Sequence, residues 1–375
     1  MFLPSLRKRF PYLIVLAAVA MMGALSACGE EEPLRIGFIG GLTGRNSDLG
    51  VSSRNAVQMA VEQKNEAGGI NGRRIELLIR DDANSPNFAE TAVTEMIESG
   101  AVAIIGPNIS AIATTVIPVA NARKVPLISP TVASTVFSGK NDYFFRVSWT
   151  TRDNALAYAA HYFEKGYRRI AVAYDLANRV FSESWLEFFR EYFEELGGRI
   201  AAAVPFDAEG TEGYSGIVRQ MLDADPDSLL FVAGGVNTAQ LAQQVRKEDR
   251  RIPMIAAEWA ATESLIELGG RAVEGLEMGQ VFDRSGNSPE YTEFKNAYRA
   301  SFHLEPGYAS VAAYDAATVL LTALERNIPG ESLRDTLAEM KPIQGLQQQL
   351  AFDAYGDGSR RAFFIVVRKG RFESQ

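Results

Sequence analysis

The residues best suited to chemistry are few and scattered in this sequence. Histidine, a common metal ligand and general base near neutral pH, occurs only as His161 and His303. Neither has another metal ligand at the spacing of a zinc site. No stretch matches the serine-hydrolase elbow, the H-E-x-x-H helix or the P-loop. We therefore predict no metal site, no cofactor and no enzymatic activity.

Two further segments have residue types that can form sites. Gly40–Gly44 follows an apolar run, but it lacks the G-x-G-x-x-G spacing that lets backbone approach a pyrophosphate. Asp81 and Asp82 are adjacent carboxylates, and nothing in the sequence indicates the separated pKa values of a catalytic acid and base. We interpret the first as a ligand-facing loop at a strand end and the second as solvated loop charges.

The N-terminus is typical of a secretory signal. Arg7, Lys8 and Arg9 precede an apolar stretch that is too short to span a membrane easily, and small residues follow it. Leu25–Cys28 resembles the lipobox of bacterial lipoproteins, in which the cysteine becomes the lipidated first residue of the mature chain. We predict a signal peptide over residues 1–27, lipid on Cys28, and a membrane-anchored protein on the periplasmic or extracellular face.

The composition limits how the protein can be stabilised and which partners it can bind. Cys28 is the only cysteine, so the chain has no pair for a disulfide. Removing residues 1–27 leaves 348 residues, enough for two domains. That removal also takes away three basic and no acidic residues, so the net charge falls from −8 to −11. Such an acidic chain is not expected to bind nucleic acid.

Apolar runs alternate with amphipathic segments along the chain. Leu34–Ile39 and Ile75–Ile79 read as buried strands, and Ser53–Asn65 between them has the periodicity of a helix. A second series of the same kind begins after Tyr143–Val147. Strands that alternate with helices of this length predict an α/β fold with parallel sheets, here in two lobes.

Nearly the whole mature chain resembles the periplasmic leucine/isoleucine/valine-binding family, the solute-binding components of branched-chain amino acid ABC transporters. Short segments in a shared order carry the resemblance: Ile36–Gly44, Asn65–Gly72, Asp81-Asp82, Ile104–Pro107, Pro126–Thr131, Tyr143–Arg146 and Phe352–Asp357.

The resemblance implies the fold of a type I periplasmic binding protein, in which three chain crossings form a hinge between two Rossmann-like lobes. Lobe 1 would comprise residues 33–147 and 282–346, and lobe 2 residues 148–281 and 347–375. Open α/β sheets bind ligands beyond the carboxyl ends of their strands, so the ligand is expected in the cleft between the lobes.

The resemblance also implies ligand-binding residues. Asn108, Ile109 and Ser110, with the loop Thr131, Val132 and Ala133, match the groups that hold a ligand carboxylate. Ala133 stands where the family typically has threonine, and the neighbouring Ser134 is an alternative hydroxyl. Glu258 matches the acid that receives the ligand ammonium.

The expected pocket walls depart from the family pattern. Leu49, Val236 and Phe181 fall near positions where the family tends to have tyrosine, and Tyr308 is a further wall candidate. Because the walls have fewer tyrosine side chains than the family pattern, the sequence leaves the identity of the ligand open.

The resemblance implies a monomer that captures an α-amino acid, branched-chain or related, for the permease subunits of an ABC importer. Three alternatives remain: a binding protein that reports to a membrane sensor, a binder of a small carboxylate that is not an amino acid, and an extracytoplasmic enzyme on the same fold.

Overall fold

The structure is a computed structural model, and it describes residues 32–44, 47–207, 213–249 and 251–375. The predicted signal peptide and Cys28 lie outside these residues. Within them, no helix is both long enough and apolar enough to cross a bilayer.

The first lobe is built on a five-stranded parallel sheet in the order β2-β1-β3-β4-β5. Apolar residues of these strands, such as Ile36, Phe38 and Ile105, are fully buried because helices cover both faces. The strands are β1 (Leu34–Gly40), β2 (Ile75–Asp81), β3 (Ile104–Ile105), β4 (Leu127–Ser129) and β5 (Phe144–Arg146). The helices between them are α1 (Ser47–Glu66), α2 (Pro86–Glu98) and α3 (Ser110–Arg123).

The second lobe contains a seven-stranded sheet in the order β14-β13-β10-β9-β8-β6-β7. Its strands are β6 (Arg169–Asp175), β7 (Arg199–Phe206), β8 (Ser228–Val232), β9 (Met254–Ala256), β10 (Glu277–Gln280), β13 (Phe363–Arg368) and β14 (Arg371–Ser374). Its helices are α4 (Thr151–Glu164), α5 (Arg179–Glu195), α6 (Gly213–Asp223), α7 (Gly235–Glu248) and α8 (Glu263–Gly269).

The second sheet is mixed, whereas we expected both sheets to be parallel. β13 runs antiparallel to β10, and β14 runs antiparallel to β13. The last two strands form a hairpin whose two-residue turn, Lys369-Gly370, has positive φ at both positions. That is the turn that matches the twist of paired strands, so a hairpin closes the sheet instead of another crossover.

The chain passes between the lobes three times. It leaves the first sheet after β5, returns after β10 into three helices, and joins the second sheet again at β13. Of those helices, α10 packs extensively on α1 of the first lobe. The helices are α9 (Pro289–Phe302), α10 (Tyr308–Arg326) and α11 (Leu333–Glu339), followed by a short hairpin of β11 (Ile343–Gln344) and β12 (Gln349–Leu350). The predicted fold class is confirmed, and the exact lobe boundaries stay a prediction.

Buried polar and charged groups hold the crossings together. Arg146 is fully buried, and its Nε lies 2.8 Å from Asp357 Oδ1. Arg360 Nη2 lies 2.8 Å from Asp315 Oδ2 on α10, where both side chains are almost fully buried. Burial raises the pKa of Asp315, and the Arg360 charge opposes that shift. Two residues of different crossings are also joined directly, because Gln348 Nε2 donates to the Val281 carbonyl over 2.7 Å.

Removing the charge at Asp357 should destabilise the hinge strongly. Asp357→Asn keeps the side-chain volume but leaves the buried Arg146 guanidinium without its counter-charge, which costs about 3 kcal/mol or more. The free energy of urea-induced unfolding measures this loss. Asp225→Asn is the matched control, because Asp225 is 88% exposed in its pair with Arg169 and such pairs contribute under about 1 kcal/mol. Equal losses in both variants would contradict a structural role for the Arg146 pair.

Candidate functional site

A cavity lies between the lobes, at the carboxyl ends of strands from both sheets. It holds about 430 Å³ of space free of atoms, counting its opening to solvent. Its lining combines apolar and aromatic side chains with polar ones that can orient a ligand, as in small-molecule sites. The lining residues are Leu49, Asn108, Ile109, Ser110, Thr131, Ser148, Asn178, Phe181, Glu258, Trp259, Val281 and Tyr308.

Most of the side chains that the sequence predicted for the site meet in this cavity. The eight predicted residues that line it are Leu49, Asn108, Ile109, Ser110, Thr131, Phe181, Glu258 and Tyr308.

Three predicted residues do not line the cavity. Val132 is buried in the apolar core of the first lobe. Ala133 is also buried, and its carbonyl accepts the Thr151 N–H over 2.7 Å, so its backbone links two segments while its methyl group faces the core. Val236 is half-buried on α7. The segment after β9 packs directly against the start of α7, and Glu258 and Trp259 from that segment line the cavity instead.

The first-lobe wall is a loop held by buried hydrogen bonds. Asn108 Nδ2 donates to Ser53 Oγ over 2.7 Å, and Thr131 Oγ1 donates to the Asn108 carbonyl over 2.6 Å. Ser110 begins helix α3, whose first N–H groups have no partner within the helix itself. Ser134, the alternative hydroxyl, does not line the cavity. It is buried, and its Oγ accepts the Val136 N–H while its own N–H donates to Ser110 Oγ over 3.3 Å. The wall therefore offers donors at Ser110.

The glycine loop positions Leu49. A Cβ on Gly50 would lie 2.1 Å from the Gly41 carbonyl, so only glycine lets α1 approach the loop this closely. Asp81 holds the loop by accepting the Leu42 N–H over 2.7 Å and the Thr43 hydroxyl over 2.6 Å. Asp82 is buried, and burial raises its pKa to about 6. Our interpretation of Asp82 as a solvated charge was wrong, because the strand end is covered.

The opposite wall carries one acid, Glu258, immediately after the central strand β9. Its Oε1 accepts from Asn154 Nδ2 over 2.8 Å and its Oε2 from Trp185 Nε1 over 3.1 Å. Burial raises its pKa to about 7. Within the described ranges Glu258 forms no ion pair, so its charge faces the cavity stabilised only by neutral donors. Helices α4 and α5, which carry those donors, hold the carboxylate in place.

The remaining wall is aromatic and aliphatic. Phe181 and Trp259 meet edge to face, with ring centroids 5.7 Å apart and planes at 76°. Tyr308, at the start of α10, is buried beside them on the cavity. An apolar ligand side chain can pack against this wall.

Sequence reasoning missed four lining residues. Trp259 directly follows Glu258, and Asn178 follows the end of β6, so both had the strand-end signal that pointed to Glu258. Ser148 and Val281 lie on the chain crossings and carry no signal in the sequence. In the part of the chain that the structure describes, no three His, Cys, Asp or Glu side chains form a group able to hold a metal ion.

Two opposed α/β lobes around a cavity with one buried acid form the architecture of a solute-binding protein. The sequence model of the periplasmic binding protein family matches residues 33–371. The chain belongs to that family, which implies an extracytoplasmic location, and the resemblance seen in the sequence is confirmed.

Curated relatives are named as binding proteins. The chain is 22% identical over 351 residues to a leucine-, isoleucine-, valine-, threonine- and alanine-binding protein of Pseudomonas aeruginosa, covering 91% of each chain. It is 26% identical over 227 residues, 58% of this chain and 54% of the relative, to the chemotactic signal transduction substrate-binding protein BasB of Halobacterium salinarum.

Solved structures share the fold. The leucine-binding protein LivK of Thermotoga maritima superposes with a TM-score of 0.85 at 25% identity, covering 91% of this chain and 97% of that one. A solute-binding protein of Rhodopseudomonas palustris in complex with benzoate has a TM-score of 0.82 at 16% identity, covering 91% and 95% of the two chains.

The raised pKa of Glu258 should make stability depend on pH. Its stabilising contribution is present below about pH 4.5 and is lost as pH rises through about 7, because the folded state holds the proton more tightly than the unfolded chain. Glu258→Gln removes the titration. Between pH 5 and 8 the ligand-free protein should therefore lose up to about 3 kcal/mol of unfolding free energy relative to the variant.

Urea unfolding at several pH values measures this difference. Glu187→Gln, at an exposed glutamate on α5, is the control and should follow the wild type. The same pH dependence in wild type and Glu258→Gln would contradict the assigned pKa.

Proposed function

We propose that this protein is a monomeric solute-binding lipoprotein that captures an α-amino acid, branched-chain or related, and delivers it to the permease of an ABC importer. It acts by binding and releases its ligand chemically unchanged.

The observation that carries the proposal is the unpaired acid in the cavity. A buried carboxylate requires a counter-charge or strong hydrogen bonds, and among the described residues Glu258 has only neutral donors: its own backbone N–H, Asn154 and Trp185. A ligand ammonium would supply the missing positive charge. Its arrival would also lower the pKa of Glu258, so binding below pH 7 would release a proton.

The other groups of an amino acid fit the remaining walls. A carboxylate suits the first turn of α3, because the positive end of a helix dipole and the Ser110 hydroxyl favour an anion there. The side chain would pack against Phe181, Trp259 and Leu49. A ligand that engages Ser110 and Glu258 together bridges the lobes, and hinge closure is the motion for which periplasmic binding proteins are the standard example.

A small aromatic carboxylate is the second candidate. The R. palustris neighbour was solved with benzoate, and the edge-to-face pair of Phe181 and Trp259 suits an aromatic ring. With such a ligand Glu258 would stay protonated, which its pKa of about 7 permits. The likeness to BasB supports a third role, delivery of the ligand to a membrane sensor.

Calorimetric titration separates the two ligand classes. We expect L-amino acids such as leucine to bind, and their des-amino analogues and benzoate to bind far more weakly. Glu258→Gln should lose about 2–5 kcal/mol of leucine binding, roughly 30-fold or more in Kd.

The control for the titration is Glu187→Gln, which removes an equal charge from the surface of α5 and should leave the Kd unchanged. Equal binding of leucine and its des-amino analogue, or full affinity in Glu258→Gln, would refute the amino-acid assignment. Recovery of unchanged leucine after incubation tests for the absence of turnover.

Lipid on Cys28 predicts where the protein fractionates. Several acyl chains anchor a protein firmly, whereas one chain binds only marginally. Cys28→Ser should therefore move the protein from the membrane to the soluble extracytoplasmic fraction, as measured by immunoblotting of separated fractions. A variant that stays with membranes as the wild type does would contradict lipid anchoring.

A further inference from the structure

A side chain of the second lobe caps a helix of the first lobe beside the cavity. The residue that precedes α3 is Ile109, whose side chain has no hydrogen-bond acceptor, and α3 has no cap of its own. The N–H of Ala111, the second residue of the helix, donates instead to Asn178 Oδ1 over 2.9 Å. Asparagine is among the best capping residues and normally accepts from this same position of its own helix.

Asn178 does not cap the helix to which it belongs. It directly precedes α5, yet its side chain makes no capping hydrogen bond there, and the residue is only 3% exposed. The turn that carries it is held by Asp175, which accepts the Ala177 N–H over 2.9 Å and the Asn237 amide over 2.6 Å. The second lobe is therefore built to point this amide across the cleft.

The amide nitrogen of Asn178 is available to the cavity. Asn178 lines the cavity together with Ser110 and Ile109, and its Nδ2 makes no hydrogen bond within the described ranges. We propose that Asn178 couples ligand capture to lobe closure: its oxygen caps α3 across the cleft, and its nitrogen donates to a ligand carboxylate at the same helix end. The second half of this proposal rests on the proposed amino-acid function.

Coupling follows from the geometry of a single amide. Separation of the lobes exposes the Ala111 N–H to water and removes Nδ2 from the end of α3, so the cap and the ligand donor form together. A second contact across the cleft lies outside the cavity, where Thr135 Oγ1 and Ser184 Oγ are 3.1 Å apart. Ser184 therefore contributes to closure without reaching the ligand and serves as a matched control.

Two isosteric variants separate the roles of the amide. Asn178→Leu fills the volume but neither caps nor donates, whereas Asn178→Asp keeps the acceptor and replaces the donor with a negative charge. Cys28 is the only natural cysteine, so in the mature chain with Cys28→Ser, spin labels attach only to introduced cysteines. Phe88 in the first lobe and Glu187 in the second are exposed labelling positions.

Pulsed electron paramagnetic resonance measures the closed and open populations, and calorimetry with L-leucine measures affinity. In ligand-free protein, Asn178→Leu should reduce the ratio of closed to open molecules about tenfold, or about 1.4 kcal/mol, whereas Asn178→Asp should retain closure. Asn178→Asp should bind leucine at least tenfold more weakly. Ser184→Ala should lower the affinity for leucine and for its des-carboxy analogue, isoamylamine, by the same factor. If Asn178→Leu does not fold, Asn178→Ala replaces it.

Each half of the proposal has its own contrary result. An unchanged population ratio in the variant without an acceptor would overturn the cap. Wild-type leucine affinity in Asn178→Asp would overturn the carboxylate contact. If no amino acid binds the wild type, the proposed function and the carboxylate contact fail together, while the ligand-free populations still decide the cap.

Discussion

Burial of the Glu258 carboxylate without a cation from the described residues is the constraint on which the cleft depends. A carboxylate in this place raises the energy of the ligand-free protein, and neutral hydrogen-bond donors offset only part of that cost. The cost is tolerable because the rest of the fold is well satisfied: strands β8 and β9 are fully buried, and α4 and α5 fix the side chain. The energetic cost therefore falls on the cavity wall, where the ammonium group of the proposed ligand would remove it by pairing with Glu258.

In the hinge, unlike in the cleft, each of these buried charges has a partner of opposite charge. Arg146 is paired with Asp357, and Arg360 with Asp315, so these charges are compensated within the chain. Paired charges specify geometry, because a shift that separates them leaves both uncompensated in a medium of low dielectric constant. The crossings are thereby held in register while the cleft keeps an unpaired acid.

The two walls of the cleft divide the recognition of a ligand. The first lobe contributes a helix end and hydroxyl groups, which suit a negative charge, and the second contributes an acid and aromatic rings. Neither wall alone carries all the groups that the proposed ligand needs, so affinity would depend on how often the lobes are together. Under the proposed function, side chains that join the lobes, such as Asn178 and Ser184, would bear on affinity through closure.

The sequence by itself determined two α/β lobes and most of the cavity lining. Apolar runs and helical periodicity are local signals, and predicted strand ends such as Ser129, Tyr174 and Ala257 indicate where loops must meet. The family resemblance then selected Ser110 and Glu258 within those loops. Only the tertiary structure decided that Val132 and Ala133 face the core, that Trp259 lines the cavity, and that Asn178 caps a helix of the other lobe. These placements depend on how segments far apart in sequence pack together. Neighbouring residues of one loop can point to opposite sides, one into the core and the next into the cavity.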